Sequence, residues 1–418
     1  MDKKKLVVIG GGAAGFFCAI NAAAVCPCME VILIEKTNKL LSKVKVSGGG
    51  RCNVTHACFS IAEMIKKYPR GEKFIKPAFH QFFISDTIEW FQHKNVKLKT
   101  EADGRMFPES NSSETIINCL LQEAAKNNVQ IMMSREVVSI TKTPAETDGN
   151  KFQLFFKDGS QLQSDFICVA CGGYQKSEQY KWLSQLGHSF EVPVPSLFTF
   201  NVPNEPIAEL MGISVDNVRV KIDEANLSQT GPMLITHWGF SGPCILKLSA
   251  FAARKLALLQ YNFSISINWL LDYNENTLLD KLRSIRIELA AKKIINKNPF
   301  NLPQRLWQYH LNCCGIKEDL RWADLPAKQQ NVLAKHLCSE KFSVKGKTTF
   351  KEEFVTAGGI KLNEIDANTM ASKIVPNLFF AGEILDVDGI TGGFNFQHAW
   401  TSGWVAAHAI GQRVKQIN

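Results

Sequence analysis

The sequence predicts an α/β protein whose parallel sheet is assembled from both ends of the chain, with a β-rich and then helical region inserted between them. Two observations at the ends and one in the middle point to this. Near the start, an apolar strand runs into a glycine cluster, a helix and a second strand closed by an acid. Near the end, the apolar run 377–380 leads to Gly382 and Glu383 and then, past more glycines, into a long helical stretch. In between, strand-length runs from about 196 to 266 give way to helical spacing from about 277.

The first strand is residues 6–9, followed by Gly10-Gly11-Gly12-Ala13-Ala14-Gly15, a helix from 16 to about 25, and a strand over 31–34 that ends at Glu35. This is the G-x-G-x-x-G arrangement in full context, strand before and helix after, with an acid 20 residues beyond Gly15. Gly10 permits the tight turn, Gly12 lets a pyrophosphate approach the backbone, and Gly15 lets the helix pack close to the strand. The helix start offers unpaired N–H groups and its positive dipole end to phosphate. Glu35 can accept from ribose hydroxyls and would repel a 2′-phosphate. A dinucleotide is therefore expected, although glycine turns of other kinds also occur.

Three later segments favour FAD over NAD. Ser47-Gly48-Gly49-Gly50-Arg51-Cys52-Asn53-Val54-Thr55 reads as a loop whose N–H groups and Arg51 can face an anion. The buried-type strand 166–171 runs into Gly172-Gly173, after a strand near 137–140 and a hairpin over 152–164; such a unit commonly lies beside the adenine half of FAD. Finally, Asp386, Asp388, Gly389 and Thr391-Gly392-Gly393-Phe394-Asn395 precede a helix from about 397 to 411. That second glycine-rich helix start can stabilise charge developing on a reduced flavin. The middle of the chain has no second G-x-G-x-x-G after a strand, so any NAD(P)H would bind transiently as electron donor.

Taken together, these motifs, with Gly104-Arg105-Met106-Phe107-Pro108, Thr236-His237-Trp238-Gly239-Phe240-Ser241-Gly242-Pro243 and Thr356-Ala357-Gly358-Gly359-Ile360, resemble one family over essentially the whole chain. It is the bacterial NAD(P)/FAD-dependent oxidoreductase family that includes the 3-dehydro-bile-acid reductase and aminoacetone oxidase. The resemblance implies a glutathione-reductase-like, Rossmann-type FAD-binding domain, an inserted β-barrel-like domain, and a small helical domain within the barrel. It places FAD contacts at Gly10, Gly12, Ala14, Gly15, Glu35, Lys36, Gly49, Gly50, Arg51, Gly172, Gly382, Gly393, Phe394 and Asn395.

The residues divide the same way. The FAD-binding part is expected over 1–192 and 353–418, the barrel-like part over 193–267 and 340–352, and the helical part over 268–339. Pro193-Val194-Pro195 marks the first break. Short strands follow near 197–202, 218–222, 233–236 and 262–267, then helices near 277–296, 302–313 and 327–338, and a strand at 341–344. In the insert, His237 and Ser241 are the candidate catalytic pair. A histidine exchanges protons near neutrality, and a serine at a glycine turn can orient a carbonyl. The bland alternative is a packed turn with a satisfied histidine.

Composition narrows the remaining classes. Hydrophobic residues make up 45% and charged residues 21%, ordinary for a globular chain. No apolar run approaches bilayer length, and no signal peptide is visible, so a cytoplasmic location without membrane partners is expected. The 12 cysteines lack a disulfide or metal pattern: Cys168-Val-Ala-Cys171 sits in a strand, and Cys26/Cys28 and Cys313-Cys314 have no histidines at metal spacing, so no metal is expected. The charge of +9 includes 13 Lys/Arg against 8 Asp/Glu over 267–345, but without an arginine-rich tract nucleic acid is not the expected partner. The leading function is NAD(P)H-linked reduction of an unsaturated small molecule through flavin N5. The alternatives are a flavin oxidase of a small amine releasing hydrogen peroxide, and an RNA-linked or non-catalytic flavoprotein.

Overall fold

Apart from Lys5, strand β1 (Lys5–Ile9) is apolar and buried on both faces, which is what a central parallel strand requires. It pairs in parallel with β2 (Glu30–Ile34) on one side and with Phe166–Val169 on the other. Leu378–Phe380 and Gln130–Met132 complete a five-stranded parallel sheet. The structure is a computed structural model that describes residues 3–142, 151–349 and 355–417.

Helix α1 (Ala13–Val25) joins β1 to β2 and is buried from Ala14 to Ala23. The last helix, Phe394–Ile417, packs directly on it. Small residues allow this: a Cβ on Gly403 would lie 2.7 Å from the carbonyl oxygen of Ala14, and one on Gly411 2.6 Å from a methyl of Val25. The two ends of the chain thus share one core. No helix among the described residues is long and apolar enough to cross a membrane.

The chain divides into two units, one holding residues up to Ser196 and from 351 onward, the other residues 197–350. The expected boundary at 352/353 lies outside the described residues. The break expected at Pro193 falls after Ser196 instead. Phe190–Ser196 is a strand, antiparallel to Val355–Ile360, with a register shift between Glu191 and Val194. Proline holds its neighbour extended and is tolerated in a two-stranded edge pair where a bulge relaxes the ladder.

The second unit has a seven-stranded antiparallel sheet in the order Glu340–Lys345, Asn262–Asn268, Ser214–Ile222, Leu227–Thr236, Gly239–Ser241, Thr199–Asn201 and Lys347–Thr348. Its two edge strands are consecutive in the chain, separated only by Gly346, so the sheet curls on itself. The helices Glu275–Glu288, Gln304–Cys313 and Ala327–Cys338 leave after Asn268 and return at Glu340, two positions on neighbouring strands. Their apolar faces and the barrel interior form one buried cluster containing Trp269, Trp307 and Trp322. Two sequence expectations need correction. The first helix stops at Glu288 rather than near 296, and the region read as strands alone contains the 16-residue helix Pro243–Leu258. Pro243 at its first turn and buried Ile245, Leu248, Ala252 and Leu256 at spacings of three and four were the available signal.

Candidate functional site

Four strands of the parallel sheet deliver glycines or an acid to its C-terminal edge, where open α/β sheets bind ligands. β1 is followed by Gly10, β2 by Glu35, Phe166–Val169 by Gly172, and Leu378–Phe380 by Gly382. Gly10 has φ 119°, and a Cβ there would meet the Ala170 carbonyl at 2.4 Å. A Cβ on Gly15 would lie 1.9 Å from the Gly10 carbonyl oxygen, so only glycine lets α1 start this close to the turn. Gly12 caps α1 with extended backbone and no side-chain cap, and nothing lies within 4 Å of where its Cβ would be. The first-turn N–H groups of α1 therefore face open space, the arrangement that receives a phosphate.

Glu35 is built into this turn. Its Oε2 accepts from the Gly11 N–H at 2.9 Å, while Oε1 accepts from the Thr37 N–H and hydroxyl, each at 2.8 Å. Beside it a cleft of about 460 Å3 is lined by Gly10, Glu35, Lys36, Arg135, Cys171 and Tyr174. Burial pushes the Cys171 thiol up to about 11 and the Tyr174 phenol well above its ordinary value. Both stay neutral, leaving Glu35, Lys36 and Arg135 as the charges among these six.

The 47–55 stretch begins as the expected glycine turn: the segment Ser42–Gly50 leaves the helix at Ser47, whose ψ of 146° is extended, and Gly48, Gly49 and Gly50 then take φ of 60°, 70° and 83° in succession. Space is open where side chains of Gly49 and Gly50 would project. Arg51 is already engaged: it donates to Glu101 Oε1 at 2.6 Å and to the Gly48 carbonyl at 3.3 Å, and lies 4.0 Å over the Phe107 ring. Burial pushes the Cys52 thiol up to about 12, so it is not a thiolate.

The C-terminal segment meets both other glycine turns. A Cβ on Gly382 would touch Ala14 Cβ at 2.7 Å, and one on Gly393 would lie 2.6 Å from the Thr55 carbonyl oxygen. Gly382 donates its N–H to Ser402 Oγ at 2.9 Å and accepts at its carbonyl from His398 Nε2 at 3.1 Å. Burial holds the His398 ring down to about 4, so it is neutral at physiological pH. Asn395 clasps Gly389, accepting from its N–H at 2.8 Å and donating to its carbonyl at 3.0 Å. Phe394 stacks on His56 at 4.7 Å.

Sequence reasoning missed what fixes this segment. Fully buried Asp388 pairs with Arg70 and accepts from the Ser196 hydroxyl at 2.8 Å. Tyr68 donates to the Phe394 carbonyl at 2.6 Å. The acid at 388 was visible in its glycine-rich context, but no local pattern could join it to residues 70 and 196.

The second unit carries the other two candidates. His237 occupies the turn between Leu227–Thr236 and Gly239–Ser241, its ring edge-on to Trp238 at 4.1 Å. Ser241 pairs with Leu234 across that hairpin, and Gly242 after it has φ 93°.

The residues of the first unit fit an extended dinucleotide: uncapped N–H groups at α1, an acid and a nucleoside-sized cleft beside them, and open glycine turns at Gly49, Gly50 and Gly172. A family model described as HI0933-like protein Rossmann domain matches residues 4–409. Ribosomal RNA dihydrouridine synthase of Escherichia coli (strain K12) is 29% identical, across 98% of this chain and 98% of its own. The 3-dehydro-bile acid delta(4,6)-reductase of Clostridium scindens is 24% identical, across 98% and 99%. Among solved structures, 3-ketosteroid delta1-dehydrogenase from Sterolibacterium denitrificans, 11% identical with a TM-score of 0.52 over 99% of this chain and 100% of that one, shares the fold.

Proposed function

The chain belongs to the HI0933-like family of Rossmann-type, FAD-dependent oxidoreductases, and from that premise we propose that it reduces a carbon–carbon double bond conjugated to a carbonyl, with the uracil ring of ribosomal RNA as first substrate and NAD(P)H as electron source. The observation carrying this reading is that two relatives aligned over nearly the whole chain are named for this one bond change on different molecules. Dihydrouridine is uridine with its ring double bond reduced, and the bile acid enzyme is named for the delta(4,6) bonds of a 3-keto steroid.

RNA is favoured by the higher identity of that relative and by charge. Residues 197–350 carry 19 Lys/Arg against 13 Asp/Glu, a net +6 of the chain's +9. Binding to phosphate through such a surface weakens steeply with salt. The small-molecule reading keeps its own support in the bile acid relative.

When bound, FAD supplies the electron pair as a hydride from N5. Gly12 and the start of α1 are assigned to its pyrophosphate and Glu35 to its ribose, with Gly49, Gly50 and the 389–395 turn along its flavin half. His237 is assigned the proton delivered to the carbon α to the carbonyl, and Ser241 the carbonyl oxygen.

The test is anaerobic turnover with FAD-loaded protein and NADPH or NADH. Unmodified ribosomal RNA should yield a nucleoside heavier than uridine by one H2. Reduction of a conjugated enone with RNA left unchanged moves the substrate to a small molecule. Peroxide formed from an amine in air, with neither reduction, refutes the proposal. His237→Gln should slow turnover by ~10²–10⁴-fold while NAD(P)H still bleaches the flavin; unchanged turnover removes His237 from the chemistry.

A further inference from the structure

The second unit packs two histidines, one of them fully buried, against a buried glutamate. His310 lies on Gln304–Cys313, His336 on Ala327–Cys338, and Glu340 opens the strand Glu340–Lys345. His310 is 0% exposed and Glu340 5%. Neither nitrogen of His310 has a hydrogen-bond partner, nor does Nε2 of His336. A fully buried imidazole with both nitrogens unpartnered is costly, and such groups commonly mark an ion or a water.

The geometry favours an ion. His336 Nε2 lies 3.4 Å from Glu340 Oε1, and His310 Nδ1 lies 3.8 Å from Oε2. The three ligand atoms all fall within 4.8 Å of one another. Ligand atoms around tetrahedral zinc, bonded at about 2.0–2.1 Å, sit ~3.4 Å apart, so modest side-chain rotation closes the set. The carboxylate is already held: Tyr309 donates to Oε1 at 2.8 Å and Trp269 to Oε2 at 2.7 Å. Outer-shell donors of this kind orient metal-binding carboxylates.

We propose that His310, His336 and Glu340 bind one divalent transition-metal ion, Zn2+ foremost, which fastens the helical insertion to the barrel. Two imidazoles and a carboxylate suit zinc or a neighbouring first-row metal rather than calcium or magnesium. His310 and Glu340 are buried while His336 is partly exposed, which leaves the fourth coordination position for water. The ion would join both helices to the strand where the chain re-enters the sheet. Spacing in the sequence could not reveal this, because His310 lies 26 residues before His336, on a different helix.

The experiment uses the full FAD-loaded chain, treated with chelator and then dialysed free of it. Zn2+ should bind at about one equivalent per chain and raise the thermal midpoint by roughly 5 °C. Co2+ should give ligand-field bands to the red of the flavin absorption. His336→Gln and Glu340→Gln should lose the zinc equivalent and the thermal shift. His93→Gln, at the exposed pair with Glu89, should keep both. Absence of cobalt bands and of a zinc-dependent shift in the unsubstituted protein overturns the site, as does binding that survives His336→Gln or vanishes in His93→Gln. If the glutamine variants fail to fold, the cobalt spectrum of the unsubstituted chain decides.

Discussion

The two glycine-rich helix starts of the first unit are shaped by different forces. At 10–15 the backbone itself sets the turn: Gly10 and Gly15 press against the Ala170 and Gly10 carbonyls at distances no side chain survives. At 389–395 polar side chains from distant parts of the chain set it. Asp388 is held by Arg70 and Ser196, Gly389 by Asn395, and the helix start by Tyr68. The first turn is a local device and the second a tertiary one. They should therefore fail in different ways.

The largest effect is expected at Gly15→Val. Its Cβ would sit 1.9 Å from backbone oxygen, and the loss should exceed ~5 kcal/mol, leaving no soluble yellow protein. A soluble, FAD-bound variant would break the steric half of the comparison. Next comes Asp388→Ala, which leaves Arg70 beside Ser196 without its carboxylate and should cost about 3–5 kcal/mol in denaturant unfolding. An apolar replacement of both Arg70 and Asp388 should recover much of that loss. If the single substitution is silent, the clamp is decorative.

Acidification probes the join between the last helix and Gly382 through His398, which donates from Nε2 to the Gly382 carbonyl. Its folded value near 4 lies below the ordinary 6.5 because burial disfavours the charged ring. The unfolded chain therefore takes up the proton first. This contribution, on the order of 3 kcal/mol, is intact above pH 6.5 and is lost as pH falls from about 6.5 toward 4. His188, lowered by burial despite Glu364, acts in the same direction. Unfolding midpoints measured across that window should be less pH-dependent in His398→Gln. The smallest stability effect belongs to Gly12→Ala. Its Cβ meets nothing in the protein, so the apo midpoint should hold within ~0.5 kcal/mol, while FAD affinity measured by fluorescence drops at least ~10-fold. Unchanged affinity would argue that nothing sits against Gly12.

The same contrast explains what the sequence disclosed. The β1–α1–β2 turn was legible because steric need for glycine, strand period and the spacing to Glu35 all lie within 31 residues. The parallel sheet's use of both chain ends followed from one more strand ending in glycine. Arg70, Ser196 and Tyr68 were not legible, since a charge or hydroxyl without a periodic context has many surface uses. Pro193 and Pro195 pointed to a boundary that falls a little later, after Ser196, because the chain first pairs with Val355–Ile360. The helix Pro243–Leu258 was hidden behind a glycine-rich strand motif that drew attention to chemistry instead of periodicity.

A sheet made from both ends also imposes a timetable on biosynthesis. β1 leaves the ribosome roughly 370 residues before Leu378–Phe380, about 20–70 s at ordinary elongation rates. Through that interval the nucleotide edge lacks its outer strand, and α1 lacks the last helix that covers it. The barrel and its helices, emerging in between, have all their strands to hand and can mature first. Cofactor capture is thereby deferred until the nascent chain delivers Gly382 and the 389–395 turn.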